Sequence, residues 1–286
     1  MAPDLSSQTI AFIGGGNMAS AIISGLVSKS FASHKTAIHV SEPWDVNRDK
    51  VAALGVRTTT SNAEAAAGAD IIILAVKPQV AKDVCIELAS TFQSSLPLIV
   101  SIAAGITVSS LRKWCTSPSG AVPPVVRVMP NTPALLGEGA SGVYAGEGVS
   151  EEQKALVTAL LDSVSKVTEW VDKEELLDAV TAVSGSGPAY FFALVEHLAA
   201  AGVALGLDET QATRLAKQTC LGSGRMMVTD EKTSPAELRR NVTSPKGTTE
   251  AAIKSFEASG FADIVAKAVN AAAARGEELG RTLGEM

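Results

Sequence analysis

Two stretches carry residue types whose spacing could do chemistry. The first contains Gly14, Gly16 and Ala19 in the spacing G-x-G-x-x-A. There the first glycine permits a tight turn, and the second lets a pyrophosphate approach the backbone. The small third residue lets the next helix pack close on the preceding strand. That helix, over residues 19–27, would aim its free N–H groups and positive end at the phosphates. Glycine turns also serve as plain strand-to-helix corners, so the flanking elements give the motif its meaning. The second stretch is Asn241-Val242-Thr243-Ser244-Pro245-Lys246-Gly247-Thr248-Thr249-Glu250. A turn over residues 244–247 feeds a helix beginning near Thr248, which sets unpaired N–H groups and hydroxyls at a positive helix end. That is a seat for a small carboxylate. Read locally, Thr248 or Thr249 would instead serve only as a helix cap.

The elements around the first stretch read as alternating strands and helices. Residues 10–13 are apolar throughout, as in a strand buried on both faces of a parallel sheet. A second strand over 37–41 ends in Glu42-Pro43, roughly 25 residues past the glycines, where a carboxylate can accept from ribose hydroxyls. The same carboxylate would repel a 2′-phosphate, although Ser41, Asn47 and Arg48 could still accommodate one. Glu42 reads equally as a solvated loop start. A helix over 46–54, a short strand near 56–59 and a small helix capped by Ser61 or Asn62 follow. Residues 70–76 form a continuous β-branched strand that stops at Lys77-Pro78, since proline cannot donate to a ladder. The Val76-Lys77-Pro78 turn should face a ligand at the carboxyl ends of the strands. Taken alone, Lys77 reads first as a solvated loop cation.

The next strand, 98–102, leaves through Ala103-Ala104-Gly105, small enough to admit a planar ring or to make an ordinary turn. A strand over 125–129 ends in Pro130-Asn131-Thr132-Pro133, where Asn131 could hold a nicotinamide or a backbone carbonyl, or simply form the turn. Strands over 140–144 and 167–171 bracket a helix over 151–164. This alternation argues a doubly wound sheet, right-handed throughout. After Trp170 only helical signals remain, over 174–183, 188–205, 209–228, 235–241, 249–259 and 261–279. Pro188 sits in a first turn, Asp208 and Gln211 stand three apart, and Ser234 to Glu237 has capping-box form. Residues 188–205 are apolar nearly all round, broken by Glu196 and His197. Such a helix must be buried on every face, which implies a partner subunit. His197 reads as an interfacial residue in that run.

Bulk properties fit this division. A chain of 286 residues suggests about two domains. A net charge of −6 invites neither nucleic acid nor an anionic membrane. The three cysteines, Cys85, Cys115 and Cys220, are widely spaced and form no metal-ligand or disulfide pattern, which suits a reducing compartment. Residues 1–8 show no signal-like stretch, and no apolar run is read as reaching transmembrane length. A cytoplasmic enzyme is expected, with no metal.

Taken together, the motifs resemble the Δ1-pyrroline-5-carboxylate reductase family. The matching stretches include residues 12–19, Ala75-Val76-Lys77-Pro78, Ser101-Ile102-Ala103-Ala104-Gly105 and Met129-Pro130-Asn131-Thr132-Pro133. The Ser184-Gly185-Ser186-Gly187-Pro188-Ala189-Tyr190 run and the Ser244-Pro245-x-Gly247-x-Thr249 loop are the specific ones. The resemblance implies an α/β fold. Residues 1–172 would be a dinucleotide-binding Rossmann domain, and 173–286 an all-α substrate-binding and dimerisation domain. It implies NADPH or NADH as cofactor and a homodimer with interleaved helical domains, with room for a higher assembly of dimers.

The resemblance also implies roles. Ile13, Gly14, Gly15, Gly16, Asn17 and Met18 would hold the pyrophosphate. Ser41, Glu42 and Asn62 would take the adenosine side. Val76, Lys77 and Ala104 would line the inner half, and Asn241 the nicotinamide end. Ser244, Gly247, Thr248 and Thr249 would bind the substrate carboxylate, with the Thr249 hydroxyl reaching the ring nitrogen and Glu174 bordering the substrate. Lys246 departs from a common glycine, and Glu42 from a hydroxyl that suits a 2′-phosphate. A β-hydroxyacid dehydrogenase is disfavoured because residues 188–205 hold no lysine. A non-catalytic NAD(P)-sensing protein is disfavoured by the intact 244–249 loop.

Overall fold

The computed structural model describes residues 5–29, 37–92, 96–230 and 232–284. Residues 1–4 of the opening stretch considered above lie outside this set. By its contacts the chain divides into two compact units, 1–185 with 272–286, and 186–271.

Unit 1 is built on one sheet of eight strands: β1 (Ile10–Ile13), β2 (Ile38–Ser41), β3 (Arg57–Thr59), β4 (Ile71–Leu74), β5 (Leu98–Ser101), β6 (Val125–Met129), β7 (Gly139–Ala145) and β8 (Ser165–Trp170). Their order is β3-β2-β1-β4-β5-β6-β7-β8. The strands β1, β4 and β5 are buried at every position, and apolar at all but Ser101, because both faces are covered. Alternation sends Ile10, Phe12, Ile71 and Ile73 into one core and Ala11, Ile13, Ile72 and Leu74 into the other. The first strands pair parallel, as the alternation with helices requires. The pairing of β6 with β7 is antiparallel, and β8 then runs parallel to β7. Only the short 3₁₀ turn Thr132–Leu136 separates β6 from β7, too little chain for a parallel crossover. The expectation of a right-handed doubly wound order throughout therefore stops at β6.

Six helices flank this sheet: α1 (Asn17–Lys29), α2 (Asp45–Ala52), α3 (Asn62–Ala66), α4 (Pro78–Ala89), α5 (Val108–Trp114) and α6 (Glu151–Leu161). Two of them, α4 and α5, were not anticipated. Pro78 was read as a strand stop, yet it occupies the first turn of α4 with Lys77 as N-cap. Thr107 caps α5 by accepting from the Ser110 N–H. A seventh helix, α7 (Leu176–Val180), runs into a π-helical turn, Thr181–Gly185.

Unit 2 holds α8 (Gly187–Ala204), α9 (Glu209–Thr229), α10 (Pro235–Asn241), α11 (Thr248–Ala258) and the start of α12 (Phe261–Gly284). The capping box of Asp208 and Gln211 opens α9, and the Ser234 hydroxyl accepts from the Glu237 N–H at α10. Within unit 2, α8 packs on α9, and Gly202 lets the Ala212 methyl approach. The helical run Leu176–Ala204, with mean hydropathy 1.2, is long and apolar enough by length and composition alone to cross a membrane. That corrects the expectation that no run reaches this length.

Gly25 shows how tightly α1 is seated. A Cβ there would lie 2.6 Å from the Ser163 carbonyl oxygen and 2.7 Å from Val164 Cγ1. Gly25→Ala should destabilise the protein by roughly 1–3 kcal/mol through overpacking. Urea unfolding of the two proteins measures it, and an unchanged midpoint would show that α1 shifts freely.

Candidate active site

The glycine turn joins β1 to α1, and its geometry suits a phosphate group. Gly14 has φ of 103°, and a Cβ there would lie 2.6 Å from the Ala75 carbonyl oxygen, so only glycine fits. Its N–H donates to the Ser41 carbonyl at 2.8 Å, which anchors the turn to the end of β2. Nothing lies within 4 Å of the position a Gly16 Cβ would take. Among the described residues, the N–H groups of Gly16, Asn17 and Met18 find no acceptor. Open space above a glycine and unpaired donors at the start of a 13-residue helix fit a pyrophosphate.

The end of β2 lies beside this turn. Glu42 is only 7% exposed although it is charged. One carboxylate oxygen accepts from the Gly15 N–H at 2.7 Å and the other from the Trp44 N–H at 2.9 Å. The Ser41 hydroxyl donates to Asn62 Oδ1 at 2.7 Å, and Asn62 Nδ2 donates to Glu87 Oε2 at 2.8 Å. The structure thus brings Ser41, Glu42, Asn62 and the glycine turn together. Arg48 ties back on the strand end, donating to the Glu42 and Pro43 carbonyls at 3.1 and 3.2 Å.

At the inner end of the sheet edge, Val76 is half-buried while Lys77 and Ala104 are exposed. Ala104 borders a cavity of about 40 Å³ also lined by Arg127, Met129, Asp178 and Thr181. Asn131 is buried with both ends of its amide engaged. Its Nδ2 donates to the Ser184 carbonyl at 3.1 Å, and its Oδ1 accepts from the Ala140 N–H at 2.9 Å. Of the readings open for Asn131, the geometry carries the backbone tie. Glu174 is likewise committed within the protein: its Oε1 accepts from the Val108 N–H at 2.7 Å and pairs with Arg127 at 2.5 Å.

The 244–249 loop lies in unit 2 and leads into α11. Its turn closes with the Gly247 N–H donating to the Ser244 carbonyl at 3.0 Å. Gly247 is the N-cap, with no side-chain cap. Thr248 and Thr249 therefore fall inside the first turn, and neither acts as the cap. Their hydroxyls and N–H groups, with the Glu250 N–H, remain unengaged by the protein. Asn241 is exposed at the last position of α10. Lys246 has φ of 61°, the sole non-glycine residue with positive φ among those described. That backbone explains why glycine would suit its position. The Lys246 N–H donates to Glu250 Oε2 at 2.8 Å, and Lys254 stands 3.2 Å from the same carboxylate. Both hold Glu250 below the usual carboxylate range, the Lys246 N–H first. Glu250, Arg127 and Asp178 escaped the sequence reading. Only Glu250 left a signal, three residues after the N-cap.

Comparison with known proteins agrees with both parts of the chain. A family profile described as pyrroline-5-carboxylate reductase dimerisation matches residues 174–279. A second, NADP oxidoreductase coenzyme F420-dependent, matches residues 9–105. The pyrroline-5-carboxylate reductase of Pseudomonas aeruginosa is 50% identical over 282 residues, covering 98% of this chain and 100% of that one. A solved pyrroline-5-carboxylate reductase from Coxiella burnetii superposes with a TM-score of 0.88 at 39% identity, covering 96% of this chain and 98% of that one. The pyrroline carboxylate reductase of Plasmodium falciparum, solved with NADP bound, gives 0.80 at 30% identity, with coverages of 96% and 99%.

Burial raises the Asp178 pKa above its usual 3.8, the Arg127 guanidinium opposes the rise, and Glu277, Glu174 and Glu175 add to it. The folded protein therefore binds this proton more tightly than the unfolded chain, and the charged form costs stability as pH rises through the folded pKa. Asp178→Asn should melt higher than the parent at neutral pH, with the difference shrinking as pH falls toward 3.8. Melting curves across that range check it. A gap that widens on acidification would reverse the sign assigned to this group.

Proposed function

This chain belongs to the pyrroline-5-carboxylate reductase family, and we propose which of its residues carry that family's reaction. The enzyme reduces Δ1-pyrroline-5-carboxylate to L-proline with NAD(P)H, the final step of proline biosynthesis. In this reading Ile13, the three glycines, Asn17 and Met18 surround the pyrophosphate, and the N–H groups of Gly16, Asn17 and Met18 bind it. Ser41, Glu42 and Asn62 bound the adenosine, while Val76, Lys77, Ala104 and Asn241 line the inner half. Bound NAD(P)H supplies a hydride to the imine carbon.

The substrate half falls to the start of α11. The single observation that carries this assignment is that α11 opens on Gly247 without a side-chain cap, leaving two threonine hydroxyls and three N–H groups unengaged. A carboxylate there satisfies donors that the helix cannot satisfy itself. Ser244, Gly247 and Thr248 hold that carboxylate. The Thr249 hydroxyl orients the ring nitrogen and holds a proton within reach of it. Glu250 keeps the turn shut by holding the Lys246 N–H. Glu174 supports the site's border through Arg127 rather than by a free carboxylate. Positioning of two reactants then provides most of the acceleration.

We also read the enzyme as a cytoplasmic homodimer with interleaved helical domains. The unpartnered surface of α8 supports this: Phe191 is 55% and Phe192 68% exposed in the single chain. A groove of about 990 Å³ runs beside them between α8 and α9, lined by Val195, Val203 and Leu221. Burying each large apolar side chain contributes roughly 1.5–3 kcal/mol, which a second copy of these helices would recover. The same pairing would carry the Leu176–Ala204 run in a protein interface rather than in lipid.

Two measurements test these assignments. Thr249→Ala should lower kcat about tenfold to a hundredfold, the loss of one hydrogen bond worth roughly 1–3 kcal/mol, with dinucleotide affinity retained. Unchanged kinetics would remove Thr249 from the reaction. Mixing an inactive Gly16 variant with an inactive Thr249 variant, under subunit exchange, should restore activity if the site joins residues of two chains. Mixed dimers that form and stay inactive would assign each site to one chain.

A further inference from the structure

We infer that this enzyme discriminates against NADPH in favour of NADH, and that Glu42 is the residue that does so. The inference rests on the dinucleotide reading above and deepens it. In this fold the end of β2 meets the adenosine ribose, where an acidic side chain accepts from the 2′- and 3′-hydroxyls. Sequence alone leaves Glu42 free to turn outward and lets Ser41, Asn47 or Arg48 receive a 2′-phosphate. The geometry fixes Glu42, occupies the Ser41 hydroxyl and ties one guanidinium nitrogen of Arg48 back to the strand end.

Glu42 is 7% exposed, and its two oxygens accept from the Gly15 and Trp44 N–H groups. Turning the carboxylate away would strand the Gly15 N–H within the cofactor turn itself. A buried donor without an acceptor is costly, so the charge stays where the ribose must come. Each carboxylate oxygen keeps a second lone pair, enough to accept a ribose hydroxyl while holding its backbone donor. A 2′-phosphate brings two negative charges and no proton to donate. It meets a fixed anion in a poorly solvated place, where repulsion is least screened.

The Ser41 hydroxyl, which would otherwise welcome a phosphate, is occupied. It is buried and donates to Asn62 Oδ1, whose amide is fixed in turn by Glu87, a second carboxylate. Nη1 of the Arg48 guanidinium is tied to the Glu42 and Pro43 carbonyls. Gly15 belongs to the same device. A Cβ there would lie 3.1 Å from Glu42 Cβ and 3.4 Å from its Oε2, so a side chain at position 15 would press on the carboxylate.

The test is direct binding to the intact enzyme, by calorimetry with NADH and with NADPH, alongside kcat/KM for each. The parent should bind NADH about tenfold or more tighter than NADPH. In Glu42→Gln, which keeps an acceptor and loses the charge, NADPH affinity should rise. Glu42→Ser should go further, toward parity or reversal. Parent enzyme that binds NADPH as tightly as NADH or tighter would overturn the inference while leaving the dinucleotide site standing. Folded variants with an unmoved ratio would clear Glu42 of the role. Failure of the parent to bind either dinucleotide would instead overturn the reading on which this one rests.

Discussion

A helix begins with N–H groups that its own backbone cannot pair, and the chemistry of this chain depends on where that debt is left open. Ser61, Thr107, Ser150, Asp208 and Ser234 close the starts of their helices with their own side chains. The helices α1 and α11 begin instead after Gly16 and Gly247, which have no side chain to offer. One start follows a buried strand and the other a tight turn held by Glu250. Both leave positive helix ends free for anions. Lack of a cap alone does not make a site, since α2 and α8 are also uncapped. What sets α1 apart is the strand-anchored glycine turn with open space at Gly16, and what sets α11 apart is the tight turn held by Glu250.

Holding such a turn in place takes more than the turn. Gly14 is pinned between the Ser41 and Ala75 carbonyls, one a hydrogen bond and the other a steric stop. Gly15 is held by Glu42, so the glycine turn and the end of β2 share one bond. The rigid background is the sheet, whose central strands are fully buried on both faces. Close-packed strands transmit little movement, and a turn hung from their carboxyl ends inherits that stiffness.

Unit 2 shows the opposite economy. Its helices α9 and α10 are capped by their own sequence, yet α8 buries only Gly187 in the single chain. Local propensity builds the helices, while the apolar surface they expose calls for a second chain. This is the pattern of an obligate interface, which resembles a core divided between two molecules.

The sequence by itself determined the strand-turn-helix at Gly14, the change from strands to helices after Trp170, the capping box at Asp208 and the exposed apolar helix after Pro188. Each depends on neighbours within a few residues, where period, cap chemistry and backbone sterics act directly. It was silent on α4 and α5, because Pro78 stops a strand and starts a helix with the same ring. Only the tertiary structure decided the antiparallel return at β7, where the short link after Met129 and the edge of the sheet act together. It also settled which side chains are already spent. Asn131, Glu174 and Glu42 look alike in sequence, as polar residues at strand ends or at a helix start. Their partners at Ser184, Arg127 and Gly15 stand 53, 47 and 27 residues away along the chain. A hydrogen bond depends on distance in space, and the folded sheet is what turns those separations into contacts.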